Sequence, residues 1–171
     1  MIADAYGGDE AEEINARTGC VGCPLAQEEK ALETVLRLST WSYLAPLRGL
    51  KQLWRELREP QNRLKKAGAE RLKDGSIAKN PQRMGPLTFE ARLMALDRVL
   101  AIQNDCNAAA RVLGRPEINQ IDAEEEARIR ELIALQTWPQ GWDGGEPTGD
   151  TVMETVYQNG AVQPLLFGST Q

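Results

Sequence analysis

The chain has 171 residues, room for one domain of ordinary size, with 42% apolar and 26% charged residues as in an average soluble globular protein. Aromatics reach only 5%, lean for an all-β protein, and no apolar run approaches the roughly 18 residues of a membrane span. Histidine is absent, which removes the Ser-His-Asp triad, the Cys-His dyad, His-ligated zinc and His-based proton transfer. Three cysteines cannot build a disulfide framework, and Met1-Ile2-Ala3-Asp4 leads into an acidic run with no signal-peptide pattern, so the expected setting is cytoplasmic, without a membrane partner.

The net charge of −5 is unevenly spread: eleven Lys/Arg face four Asp/Glu between Arg48 and Arg83, a local +7 against −12 for the remainder. A solvated helix and loop is the plain account of this segment, and a strip facing phosphate is the functional one.

In chain order, residues 1–16 lack apolar periodicity and read as a poorly ordered start. Residues 24–38 read as a helix, with Pro24 in the first turn and Leu25, Leu32, Val35, Leu36 and Leu38 on its apolar side. A second helix is expected over 46–58, where Leu47, Leu50, Leu53, Trp54 and Leu57 form one face and Arg48, Lys51, Arg55 and Arg58 the other. Pro60 ends it, and 60–87 reads as a long basic linker with turn signals at Asp74-Gly75-Ser76, Asn80-Pro81 and Gly85-Pro86.

The clearest helix is 88–104, capped by Thr88, with Phe89, Leu93, Leu96, Val99, Leu100 and Gln103 in one stripe. A shorter helix is expected to follow through Leu113, stopped by Gly114. The last helix, 122–136, opens on an Asp122/Glu125 capping box and should bury Ile129, Leu132, Ile133 and Gln136. Residues 140–171 read as an irregular tail, in which Thr151–Tyr157 suits a short strand or a helix. The expected fold is mostly α: a helical module of four to five helices over 17–139, with a long basic loop.

Chemistry is concentrated in Gly19-Cys20-Val21-Gly22-Cys23-Pro24. Two cysteines at this spacing can place both sulfurs on one metal, and a helix N-terminus beside them favours thiolate. Buried thiols or a redox pair are the alternatives, although no strand precedes the motif as a thioredoxin-like setting requires. A closed tetrahedral site or a cubane cluster wants four ligands, and the chain offers three cysteines and no histidine. Cys20 and Cys23 would then need a carboxylate, an external group or another polypeptide to complete the set, with the part of Cys106 left open.

Arg17-Thr18-Gly19-Cys20-Val21-Gly22-Cys23-Pro24-Leu25 resembles the C-terminal part of the phosphoadenosine-phosphosulfate (PAPS) reductase-like family, closest to DndC-type sulfurtransferases of DNA phosphorothioation. Leu44-Ala45-Pro46-Leu47-Arg48 is similar to that family's helix after the cysteine pair, and Gly85-Pro86-Leu87-Thr88-Phe89-Glu90-Ala91-Arg92 to its G-P-x-T-x-E-A-R element. Ile118-Asn119-Gln120-Ile121-Asp122 through Arg130 resembles its closing acidic helix, so the likeness runs over about 17–138. The resemblance implies a cytoplasmic iron–sulfur protein, with Cys20 and Cys23 as ligands of a 4Fe-4S cluster, working with a cysteine desulfurase and other phosphorothioation proteins. The family's S-G-G-x-D-S nucleotide loop is not found here, so ATP is expected only through a missing α/β domain or subunit, and the chain reads as a C-terminal piece, a split subunit or a truncated relative.

The residues expected to meet DNA or a partner are Arg48, Arg55, Arg58, Arg63, Lys65, Lys66 and Arg83. The competing readings are a non-enzymatic nucleic-acid or partner-binding module with structural zinc on Cys20 and Cys23, and a redox-active dithiol protein. Glu124-Glu125-Glu126 is explained by the helix dipole alone, and Trp138 and Trp142 suit either base stacking or packing at a domain edge.

Overall fold

The structure, a computed structural model, describes residues 29–165. The described chain is mostly α, with four α-helices and two small two-stranded antiparallel sheets. None of its helices is long and apolar enough to cross a membrane. It divides into two units interleaved in sequence: residues 29–56 with 94–129, and residues 57–93 with 130–165.

In the first unit, α1 (Lys30–Leu36) buries Leu32 and Val35, three residues apart on one face. A 3-10 helix (Ser39–Leu47) follows, in which Thr40, Trp41, Ser42 and Tyr43 are weak α-formers and Pro46 supplies no N–H. It leads directly into α2 (Arg48–Glu56), which buries Leu50 and Leu53. The long helix α3 (Phe89–Val112) contributes Ile102 and Cys106, which join Leu32, Leu47 and Leu50 in one cluster. Gly49 permits this approach, because a Cβ there would stand 3.0 Å from the Ile102 Cδ1.

Beyond the cluster, side-chain amides replace regular structure. Asn107, buried, donates to the Ile118 carbonyl at 3.0 Å and accepts from the Ile118 N–H at 2.8 Å. The Gln103 side chain donates to the Ile121 carbonyl and accepts from the Gln120 and Ile121 N–H groups. Gly114, at φ +60°, closes α3: the Arg115 N–H reaches the Ala110 carbonyl at 2.8 Å and the Gly114 N–H the Arg111 carbonyl at 3.3 Å, the Schellman pattern. The helix α4 (Ala123–Ala134) starts with the expected reciprocal cap, Glu125 N–H to Asp122 Oδ1 at 2.8 Å and Asp122 N–H to Glu125 Oε2 at 3.1 Å.

In the second unit, β1 (Arg63–Lys65) pairs antiparallel with β2 (Met84–Leu87), with an irregular register between Arg63 and Lys65. Residues 147–149 add a third edge, through Lys65 N–H to the Pro147 carbonyl, Gly149 N–H to the Arg63 carbonyl and a bridge from Leu64 to Thr148. A second hairpin, β3 (Thr155–Val156) with β4 (Val162–Gln163), turns at Gly160, φ +83°. Gln82 ties the two: its side chain donates to the Ala67 and Glu154 carbonyls and accepts from the Val156 N–H.

Several expectations change in detail. The 46–58 helix is shorter at both ends, since residues up to Leu47 belong to the 3-10 helix. The two helices expected from 88 to 113 are one, because Asn104, Asp105 and Asn107 are tolerated where Asn107 has backbone partners across the turn. Leu93 is 39% exposed, and the buried stripe runs through Leu96, Ile102, Cys106 and Ala110. Gln136 is exposed at φ 49° as the α4 cap, with Thr137 N–H bonding the Leu132 carbonyl. The expected linker over 60–87 is a β-ribbon: Asp74-Gly75 is a turn, as expected, but it closes a hairpin whose Leu64 and Ala78 are buried. The tail from 140 to 165 is hydrogen-bonded into the same unit.

Candidate functional site

Cys20 and Cys23 lie outside the described residues. The pair precedes α1 in the chain, and Glu29, just before α1, pairs with Lys51 on α2 at 3.8 Å. Among the described residues no group of three or more Cys, Asp or Glu is arranged to hold a metal. Cys106 is fully buried in the apolar cluster, and burial raises its thiol pKa despite a backbone hydrogen bond with Leu47. It is a core thiol and does not fit as a cluster ligand.

The basic strip is divided between the units. On α2, Arg48 makes a two-pronged ion pair with Glu33, 2.7 Å at each oxygen, which raises the arginine pKa and lowers that of the glutamate. Arg55 lies one turn beyond Lys51 on the same face, with no ionic partner among the described residues. Arg58 lies past the end of α2, in the second unit, and is not free.

The other strip residues of the second unit are mostly spent on the fold. Arg63 donates twice to the Gly85 carbonyl, at 2.9 and 2.6 Å, and so clips β1 to β2. Arg83 and Glu70 form a two-pronged pair at 2.5 and 2.8 Å, which holds the Glu70 carboxyl below its ordinary value. Lys66 donates to the Gly141 carbonyl and to Glu146 at 2.6 Å, with its ammonium 4.1 Å from the centre of the Trp142 ring. Burial raises the Glu146 pKa, but Lys66 and the N–H groups of Asp143 and Gly144 outweigh it and hold the carboxyl low. Lys65 has no ionic partner among the described residues.

Beside this cluster the residues 85–92 form a junction. The Gly85 backbone lies against Trp142, so close that a Cβ would stand 2.1 Å from the ring. The Thr88 hydroxyl accepts from the Ala91 N–H at 3.2 Å and caps α3. Arg92 lies 4.9 Å from the Phe89 ring centre and 4.7 Å from that of Trp138, and donates to the Leu87 and Thr137 carbonyls at 3.0 and 3.1 Å. Burial draws its pKa down. Both tryptophans are therefore packing residues, with the Phe89 and Trp138 ring centres 4.1 Å apart.

Besides Arg55 of the expected strip, three cations outside it remain outward. Arg71, Lys73 and Lys79 are exposed at and beside the 70–79 hairpin end. Their flanking of Asp74-Gly75 is the sequence signal for this, since a hairpin turn puts its neighbours at an exposed apex. No family model, curated protein or solved structure matches the chain.

Proposed function

We propose that this chain is the cluster-carrying, DNA-facing helical module of a PAPS reductase-like sulfurtransferase, of the kind that places sulfur on DNA. The observation that carries this is the 85–92 junction: the Gly, Thr and Arg of the G-P-x-T-x-E-A-R likeness each hold one fold-defining contact, against Trp142, at the α3 cap and between Phe89 and Trp138. In this reading Cys20 and Cys23 supply two ligands to an iron–sulfur cluster, and a nucleotide-binding domain or subunit supplies the ATP chemistry. Cys106 takes no part, being enclosed by Leu32, Leu47, Leu50 and Ile102.

Anaerobic reconstitution of the purified chain with ferrous iron and sulfide tests the cluster, read as iron and sulfide content and visible absorbance. Cys20→Ser and Cys23→Ser should each lose the bound iron, and Cys106→Ser should keep it. Iron retained by both of the first two variants would refute the assignment, and zinc bound in place of iron and sulfide would make the pair a structural zinc site in a binding module.

A further inference from the structure

We propose that the end of the 70–79 hairpin is a duplex-DNA contact, with Lys73 and Lys79 on phosphates and Leu72 against the groove. The proposal rests on the DNA-facing reading above and gives it a location. The hairpin is short and well tied. The Glu70 N–H bonds the Pro81 carbonyl, the Ala78 N–H the Glu70 carbonyl and the Leu72 N–H the Ser76 carbonyl, each at 2.8 Å. The Gly75 N–H returns to the Leu72 carbonyl at 2.9 Å with Gly75 at φ +85°, the three-residue turn that ends in a left-handed glycine. Asp74 accepts from the Ser76 N–H and hydroxyl, and Arg71 donates to the Gly75 carbonyl. The Arg83–Glu70 pair closes the base.

This apex is therefore held without help from Lys73 or Lys79, which are exposed and have no ion-pair partner among the described residues. Asp74 is exposed and its carboxylate is taken up by the Ser76 N–H and hydroxyl, so Arg71, Lys73 and Lys79 outnumber it three to one and the apex is net positive. Leu72 is 54% exposed between Arg71 and Lys73. A two-stranded ribbon is narrow enough to enter a DNA groove, where cations on both strands meet the phosphate walls and an apolar apex meets sugar and base edges. One exposed leucine gives too little apolar area to hold a lipid surface.

The test is fluorescence anisotropy of a labelled 20-base-pair duplex with the full chain, from about 50 to 200 mM salt. Removing one phosphate-bound cation should flatten the log–log salt slope by about 0.9, so Lys73→Ala with Lys79→Ala should take away about 1.8. The salt-induced fall in affinity over that range should then be about 12-fold smaller than for the unmodified chain. Leu72→Ser should weaken binding with the slope unchanged. Circular dichroism checks that these exposed substitutions leave the fold intact. DNA binding with an unaltered slope in the double variant overturns this placement and leaves the DNA-facing reading standing. No duplex binding at the lowest salt, with or without capture by anionic vesicles, overturns both.

Discussion

Gly85→Ala should be among the costlier single-methyl additions in the chain, and the cost should come from one ring. The new Cβ would lie 2.1 Å from Trp142 Cη2, 2.3 Å from Cζ2 and 2.5 Å from Cζ3. Reaching an ordinary carbon contact of about 3.5 Å would move the indole by about 1.4 Å. The ring has little room to swing, because the Lys66 ammonium sits 4.1 Å from its centre and the Trp142 backbone N–H, bonded to the Pro139 carbonyl at 3.1 Å, holds the Cα from which it hangs. Overpacking of this kind costs about 1–3 kcal/mol, and loss of the cation–π interaction adds about 0.5–1 kcal/mol. The expected total of about 1.5–4 kcal/mol corresponds to a Tm lower by roughly 3–15 °C for a chain of this size. Urea unfolding followed by far-ultraviolet circular dichroism measures it in two backgrounds. With Trp142→Ala in place the obstacle is gone, and Gly85→Ala should then cost under about 1 kcal/mol, leaving a coupling of more than about 0.5 kcal/mol. Equal costs in the two backgrounds, within about 0.5 kcal/mol, would refute the contact as the cause.

Two further outcomes follow from the electrostatics of buried and paired groups. The folded Glu146 carboxyl lies below its ordinary value of 4.5, so its contribution is full above that pH and fades as pH falls through the folded value. The Tm gap between the unmodified chain and Glu146→Gln should therefore be constant near neutrality and close in acid; a gap that widened below pH 4.5 would contradict the Lys66 pairing. Cys106, buried with a raised thiol pKa, should resist maleimide in the native chain at about pH 8 and react once urea unfolds it, as peptide mass spectrometry reads directly. Labelling at the rate of a free thiol would remove it from the core.

Local signals in the sequence are legible where a few neighbouring residues decide the outcome. The Asp122/Glu125 box, the Thr88 cap, the Gly114 stop and the Asp74-Gly75 turn are all short-range chemistry, and each is present. The helical face of α2 is equally legible, because Leu50 and Leu53 repeat at helix spacing and both are buried. What stays hidden depends on residues far apart in the chain. Arg63, Lys66 and Arg83 look like free cations until Gly85, Glu146 and Glu70 are brought beside them, 22, 80 and 13 residues away. The core stripe of α3 escapes the local pattern for a similar reason: Ile102 and Cys106 are chosen by Leu32, Leu47 and Leu50, which that pattern cannot see. Strands of two to four residues carry almost no periodicity, so the 60–87 ribbon hides in what reads as a polar linker.

The alternation of the chain between its two units has a practical consequence for dissection. Each unit is assembled from two stretches, with the other's sequence between them. No single cut yields either unit whole: ending a fragment at residue 129 strips the ribbon at 57–93 of the strand-like 147–149 edge, the Glu146 partner of Lys66 and the Trp138 partner of Arg92. Starting one at 57 removes Leu32, Leu47 and Leu50 from around Ile102. Nicking within an exposed turn, at Asp74-Gly75 or Asn159-Gly160, severs no such pairing and should leave two pieces that stay together. The natural way to divide this protein is therefore a split into complementing pieces at a hairpin apex, while cutting it back to 57 or to 129 exposes apolar surface that the removed stretch had covered.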